Sequence, residues 1–135
     1  MGAGAALASR WNRLTTSASL SAWSRSAVAA AAAADSRRVA FVASCDWGHT
    51  HAASGPYGFH EEAAKVDAEI VAAVEANDLM RLIALDEGRA ADAAIDGLWQ
   101  VLMLAGALET VPMAVDLLGY EAPTYYGMLV AIWQP

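Results

Sequence analysis

From Phe59 onward the chain's hydrophobic positions fall into a helical rhythm. Ala63, Val66, Ile70 and Val74 recur at the spacing that lays one stripe along a helix, and Glu61 and Glu62 sit in its first turn, where carboxylates oppose the helix dipole. "NDLMRLIAL" and "DEGRAADAAID" predict two short helices, opened by Asn77 or Asp78 and by Asp86. "GLWQVLMLAGALE" is apolar nearly all round and predicts a buried helix. The pattern then changes. "VPMAVDLLGYE" and "TYYGMLVAIWQP" are rich in Val, Tyr and Ile and predict two strands with Pro123 in their connection.

Upstream, "AVAAAAAADSRR" has high helix propensity and ends in two arginines. "RVAFVAS" is apolar on both faces, which predicts a buried, parallel strand. Cys45 to Gly58 is loop, punctuated by Gly48, Gly55-Pro56 and Gly58. Residues 1–26 are low in complexity, without a sustained period, and are expected to be poorly ordered or loosely helical. The order α-β-α-α-α-β-β is an α/β arrangement and reads as part of a sheet-and-helix domain over 27–135, with 1–26 as a leader.

A chain of 135 residues suffices for one domain with a modest core. The net charge of −7 is unevenly spread. Residues 1–34 carry Arg10, Arg13 and Arg25 and no acid, whereas 35–135 hold five bases against fifteen acids, a balance of −10. A body this acidic lacks the Lys and Arg clusters that a phosphate backbone requires, so nucleic acid is set aside. No apolar run approaches the ~20 residues of a membrane span. The leader is rich in Arg and Ser and free of acid, as a transit peptide is, but a translated high-GC leader or a frayed helix has the same composition and is preferred. Met1-Gly2 opens a myristoylation pattern that fails at Ala6. One cysteine, Cys45, makes no internal disulfide and suits a cytoplasmic protein.

The scarce reactive side chains gather in "VAFVASCDWGHTHAASGPYGFH", residues 39–60, which holds Cys45 and all three histidines. His49 and His51 follow the predicted strand, where open α/β sheets place their sites. An imidazole there can act as acid or base near neutral pH, and Asp46, three residues before His49, can orient it; a pair of surface imidazoles is the plainer alternative. Two histidines and a carboxylate can also hold non-haem Fe(II), although histidines two apart in a loop are a weak signal for it. His60 reads as a cap or a packed side chain. Asp67 falls between Val71 and Val74 on the helix's packing face. A carboxylate there costs several kcal/mol unless paired. It is expected to anchor the loop by accepting from Tyr57, His60 or loop amides, unless the helix lies at the domain edge. Cys45 reads as structural, since nothing obvious activates it. "YEAPTYYG" sets Glu121 among Tyr120, Tyr125 and Tyr126, either as a site or as an aromatic patch with an exposed acid.

"VASCDWGHTH…GPYGFH", "GLWQVLMLAGALE" and "YEAPTYYGM", in this order, resemble the C-terminal half of the LigB-like class III extradiol ring-cleavage dioxygenases, over about 27–135. The resemblance implies an enzyme that opens a catechol-type aromatic ring with O₂ on a non-haem Fe(II). It implies that His49, in "SCDWGH", is the general acid/base, with Asp46 beside it in the same motif, and that Glu121, in Tyr-Glu-x-Pro, is an iron ligand. His51, Tyr125 and Tyr126 are then expected to face the substrate. Cys45 stands where the family's motif has glycine. The family's two iron-binding histidines precede this half, and no histidine precedes His49. A complementing N-terminal half on a separate chain, a different site using His51 and His60, or a truncated and inactive half-domain pairing with itself or another chain are the alternatives.

Overall fold

The computed structural model describes residue 27 and residues 29–135; the expected leader, 1–26, lies outside the described residues. Residues 29–34 are helical, as the alanine-rich run predicts. Asp35 then caps a tight turn by gripping the Arg37 guanidinium with both carboxylate oxygens. Beyond it the expectation of a buried parallel strand fails. Residues 38–44 form no strand, and Val39, Phe41 and Val42 are exposed. The reason is pairing. A strand apolar on both faces needs neighbours, and the two strands formed among the described residues pair only with each other, antiparallel.

The core is built around helix α1, Glu62–Glu75. Ala63, Val66, Ile70, Ala73 and Val74 are buried on the stripe that the sequence predicts. α1 stops at Asn77, whose φ of 52° is left-handed; Asn77 N–H donates to Val74 O and Asp78 N–H to Ala73 O, which satisfies the last carbonyls. Leu79–Ala84 follows as a 3₁₀ run that buries Leu79 and Leu82. Helix α2, Glu87–Asp92, begins as expected at Asp86, whose side chain accepts from Arg89 N–H. Arg89 in turn reaches Glu62 and Glu69 of α1 at 2.6 and 2.7 Å and clips the two helices together. α2 ends on Ala94 with the same left-handed stop, here at φ 50° without the benefit of Gly or Asn. Helix α3, Leu98–Thr110, buries Leu98, Val101, Ala105 and Gly106, but its apolar sequence is not buried all round, and Met103 is exposed.

The two predicted C-terminal strands form. β1, Ala114–Glu121, and β2, Met128–Gln134, make a two-stranded ribbon. Val115, Leu117, Leu129, Ala131 and Trp133 lie against the core. The register runs Leu117↔Ala131 and then Gly119↔Val130, so Leu118 is a bulged residue. Strict alternation from Val115 and Leu117 would turn Glu121 inward. The extra residue inverts the parity, so that Tyr120 points to the core and Glu121 to the outside. The chain is thus a mixed helix-and-sheet, α/β protein. No helix among the described residues is long and apolar enough to cross a membrane.

Candidate functional site

No strand presents the histidine loop; hydrogen bonds from both sides hold it. On one side Trp47 N–H donates to Gly127 O, Gly127 N–H to Gly48 O and His51 N–H to Tyr125 O. On the other, His49 N–H donates to Ala93 O at 2.7 Å and Gly97 N–H to Asp46 O at 2.8 Å. Thr50, buried between the histidines, donates its hydroxyl to Asp92 O, and its carbonyl accepts from His60 N–H. A loop whose main chain is paired in this way holds its side chains nearly as firmly as a strand does.

His49 is the most defined of these side chains. Its Nδ1 lies 2.9 Å from Ala94 O. A carbonyl only accepts, so Nδ1 carries the proton and, in the neutral ring, Nε2 keeps a free lone pair. Three tyrosine rings surround the imidazole: Tyr126 stacked at 5.7 Å, Tyr57 edge-on at 5.6 Å and Tyr125 tilted at 6.1 Å between centroids. Asp46 Oδ2 is 3.9 Å from Nε2 and half exposed. That distance exceeds a hydrogen bond, so orientation comes from the Ala94 carbonyl and not from Asp46. Ala94 and Tyr57 are contributors that the sequence alone does not assign to this site. Tyr57 lies inside the histidine-bearing stretch, whereas nothing in "AADAAID" marks one alanine carbonyl for this role.

The second centre is Asp67. It is buried to 1% exposure, and three donors converge on its carboxylate. Gly48 N–H donates to Oδ1 at 2.8 Å, while Oδ2 receives the Tyr120 hydroxyl at 2.6 Å and His51 Nε2–H at 2.8 Å. The expected anchor forms, with a loop amide among its donors, but His51 and Tyr120 take the places foreseen for Tyr57 and His60. His60 instead accepts Glu62 N–H at 3.2 Å from one residue before the N-cap of α1, Glu61, which makes no side-chain capping bond. Two glycines make the approach possible. A Cβ on Gly48 would meet Asp67 Oδ1 and Ala63, and one on Gly127 would collide with Asp67 Oδ2 and the Tyr120 hydroxyl. Burial, followed by the bond to Asp67, pushes the Tyr120 phenol well above its ordinary pKa.

His51, expected to face a substrate, therefore spends Nε2 on a buried carboxylate. Tyr125 and Tyr126 do reach His49. Glu121 is exposed on the outer face of the ribbon and makes no hydrogen bond or ion pair with His49, Asp46 or His51. Among the described residues no group of three His, Cys, Asp or Glu is arranged to hold a metal ion, so these residues do not by themselves fit an iron centre. Burial, with Asp46 and Asp96 adding to it, pushes the Cys45 thiol up to about 11, which suits a structural thiol and not a nucleophile. Its bulk is taken up by Gly97, where a Cβ would stand 2.5 Å from Cys45 Cβ.

Fold and site together define a mixed α/β protein with an imidazole fixed amid tyrosines and braced by a buried carboxylate. No protein-family model matches the chain, and no curated protein matches it.

Proposed function

We propose that this chain is the substrate-facing, proton-transferring part of a cytoplasmic extradiol-type ring-cleavage dioxygenase that acts on a catechol-type aromatic with O₂. The observation that carries the proposal is His49: its Nδ1 is committed to Ala94 O, and tyrosine rings gather round the imidazole. Aromatic side chains suit an aromatic ligand, which they can meet in offset or edge-on geometry. Nε2 of a neutral imidazole accepts a proton from a phenolic hydroxyl and returns it later, while the exposed Asp46 carboxylate at 3.9 Å favours the imidazolium formed in between. The motif resemblance, running from the histidine loop to "YEAPTYYGM", supports the same reading. Fe(II) belongs to the proposal only through that resemblance: Glu121 would be one ligand, and the others would come from a complementing chain, because every histidine of this one lies between 49 and 60.

The test is binding before turnover. Catechol is titrated anaerobically into the protein while the His49 ring is followed by NMR and the catecholate by its ultraviolet absorbance. The expected result is a saturable shift of the His49 resonances, with catechol binding by calorimetry weakened in His49→Ala, followed by oxygen consumption once Fe(II) and the complementing part are added. Catechol that leaves His49 unmoved at saturating concentration overturns the proposal.

A further inference from the structure

The segment that the sequence marks as a strand is the piece left without strand partners. Val42 is 82% exposed, Val39 and Phe41 are exposed beside it, and no main-chain hydrogen bond ties 38–44 to the rest of the described residues. An unpaired β-branched and aromatic run in the open is the feature that seeks another chain's sheet.

The same chain offers the complementary surface. The inner face of the β1–β2 ribbon is packed on the core, but the outer face is apolar too. Leu118 and Val130 are 56% and 58% exposed, and Met128 and Ile132 are exposed next to them. Cross-strand register gives this face an order: Asp116 opposite Ile132 at one end, Glu121 opposite Met128 at the other, with Val130 and the bulged Leu118 between. The ribbon therefore presents an apolar centre with an acid at each end and no base. The open segment is its counterpart, Val39, Phe41 and Val42 preceded by Arg38. Arg38, Asp116 and Glu121 have no ion-pair partner among the described residues.

We propose that residues 38–42 dock on the outer face of the β1–β2 ribbon of a second copy of this chain, with Arg38 reaching Asp116 or Glu121. The occupant is a second copy because a basic apolar segment and an acidic apolar face, complementary in charge and in character, both lie open on one sequence. A two-fold axis then satisfies both at once: each copy gives one segment and receives one, and the assembly closes as a dimer. This pairing is argued from exposure and charge and not from the catalytic reading, with which it shares Glu121; Asp116 is the acid that reading leaves unused.

Sedimentation velocity of the full chain over a range of concentrations tests it. The expected result is a monomer–dimer equilibrium. Val42→Lys, at a position outside the monomer's core, raises the dissociation constant at least about tenfold while leaving the circular dichroism spectrum unchanged. Arg38→Glu weakens the dimer, Asp116→Lys with Glu121→Lys weakens it, and the three together restore it. A monomer at every concentration, an open-ended series of larger species, or a dimer indifferent to Val42→Lys and to the charge exchange overturns the proposal.

Discussion

The Tyr120 hydroxyl lies 2.6 Å from Asp67 Oδ2 and joins the end of β1 to the middle of α1 across 53 residues of sequence. The same oxygen receives His51 Nε2–H, so one buried carboxylate braces both loops that meet at His49. The histidine loop hangs from it through Gly48 and His51, and the tyrosine loop lies between Tyr120 and Gly127, both of which pack against it.

Removing this acceptor leaves buried donors without a partner. Asp67→Asn is expected to lower stability by about 3 kcal/mol, more than Tyr120→Phe, which gives up one bond and costs about 1 kcal/mol. Urea denaturation of the two variants checks the order. A smaller loss for Asp67→Asn than for Tyr120→Phe contradicts the view that Asp67 is the hub.

Alkaline pH loads the same contact. The folded protein holds the Tyr120 proton more tightly than the unfolded chain does, because burial and Asp67 both oppose the phenolate. Unfolding above the ordinary tyrosine pKa of about 10 therefore releases a proton, and stability falls as pH rises from there toward the folded-state value. The midpoint of thermal unfolding, followed through that range, is expected to drop less steeply in Tyr120→Phe than in the parent. Equal slopes mean that Tyr120 ionises as freely folded as unfolded.

Some of this site is legible in the sequence, and particular residues show why the rest is not. Asp67 announces itself, because the helical spacing of Val66, Ile70 and Val74 sets a carboxylate among buried neighbours, where it must be paired. Its partner Tyr120 does not. In "VDLLGYE" plain alternation groups Val115, Leu117, Gly119 and Glu121 on one face, and the bulge that turns Tyr120 inward depends on how β1 meets β2. The two C-terminal strands are recognisable from composition because each has the other as its partner nearby. "RVAFVAS" has the same local signal, but a strand is made by its neighbours, and among the described residues it has none. His49 is visible as a candidate from its residue type alone. The carbonyl that fixes its tautomer comes from a backbone turn at Ala94, and side-chain patterns carry no mark of that.

That turn yields a prediction of its own. Ala94 holds a φ of 50°, where a Cβ crowds the main chain. Ala94→Gly is expected to relieve about 1 kcal/mol and to leave its carbonyl on His49 Nδ1. Urea unfolding reads the gain, and the unchanged tautomer of His49 in the nitrogen NMR spectrum shows that the hydrogen bond survives. A loss of stability would place the strain elsewhere.

On the catalytic reading, His49 and Asp46 should separate sharply. His49→Ala removes the proton carrier and is expected to lower turnover of a reconstituted enzyme by on the order of 100-fold or more. Asp46→Asn removes only a half-exposed charge 3.9 Å away and is expected to cost less than about 10-fold, since solvent weakens its hold on the imidazolium. Turnover measured across neutral pH checks both, and an Asp46→Asn defect as deep as that of His49→Ala would make Asp46 the orienting group instead of the Ala94 carbonyl.

Gly127 and Gly119 offer the sharpest contrast that packing can make, because both are glycines of the β1–β2 region and neither has a left-handed φ. A methyl group on Gly127 must share space with Asp67 Oδ2 and with the Tyr120 hydroxyl, neither of which can yield without breaking the bond between them. A methyl group on Gly119 meets nothing within 4 Å. Gly127→Ala is accordingly expected to cost about 2–3 kcal/mol, the range for forcing an extra group into a filled site. Gly119→Ala should stay within about 0.5 kcal/mol, as surface changes do. Denaturation curves of the two variants decide it. If Gly127→Ala proved as mild as Gly119→Ala, the tyrosine loop would not be pressed against Asp67, and the carboxylate would brace the histidine loop alone.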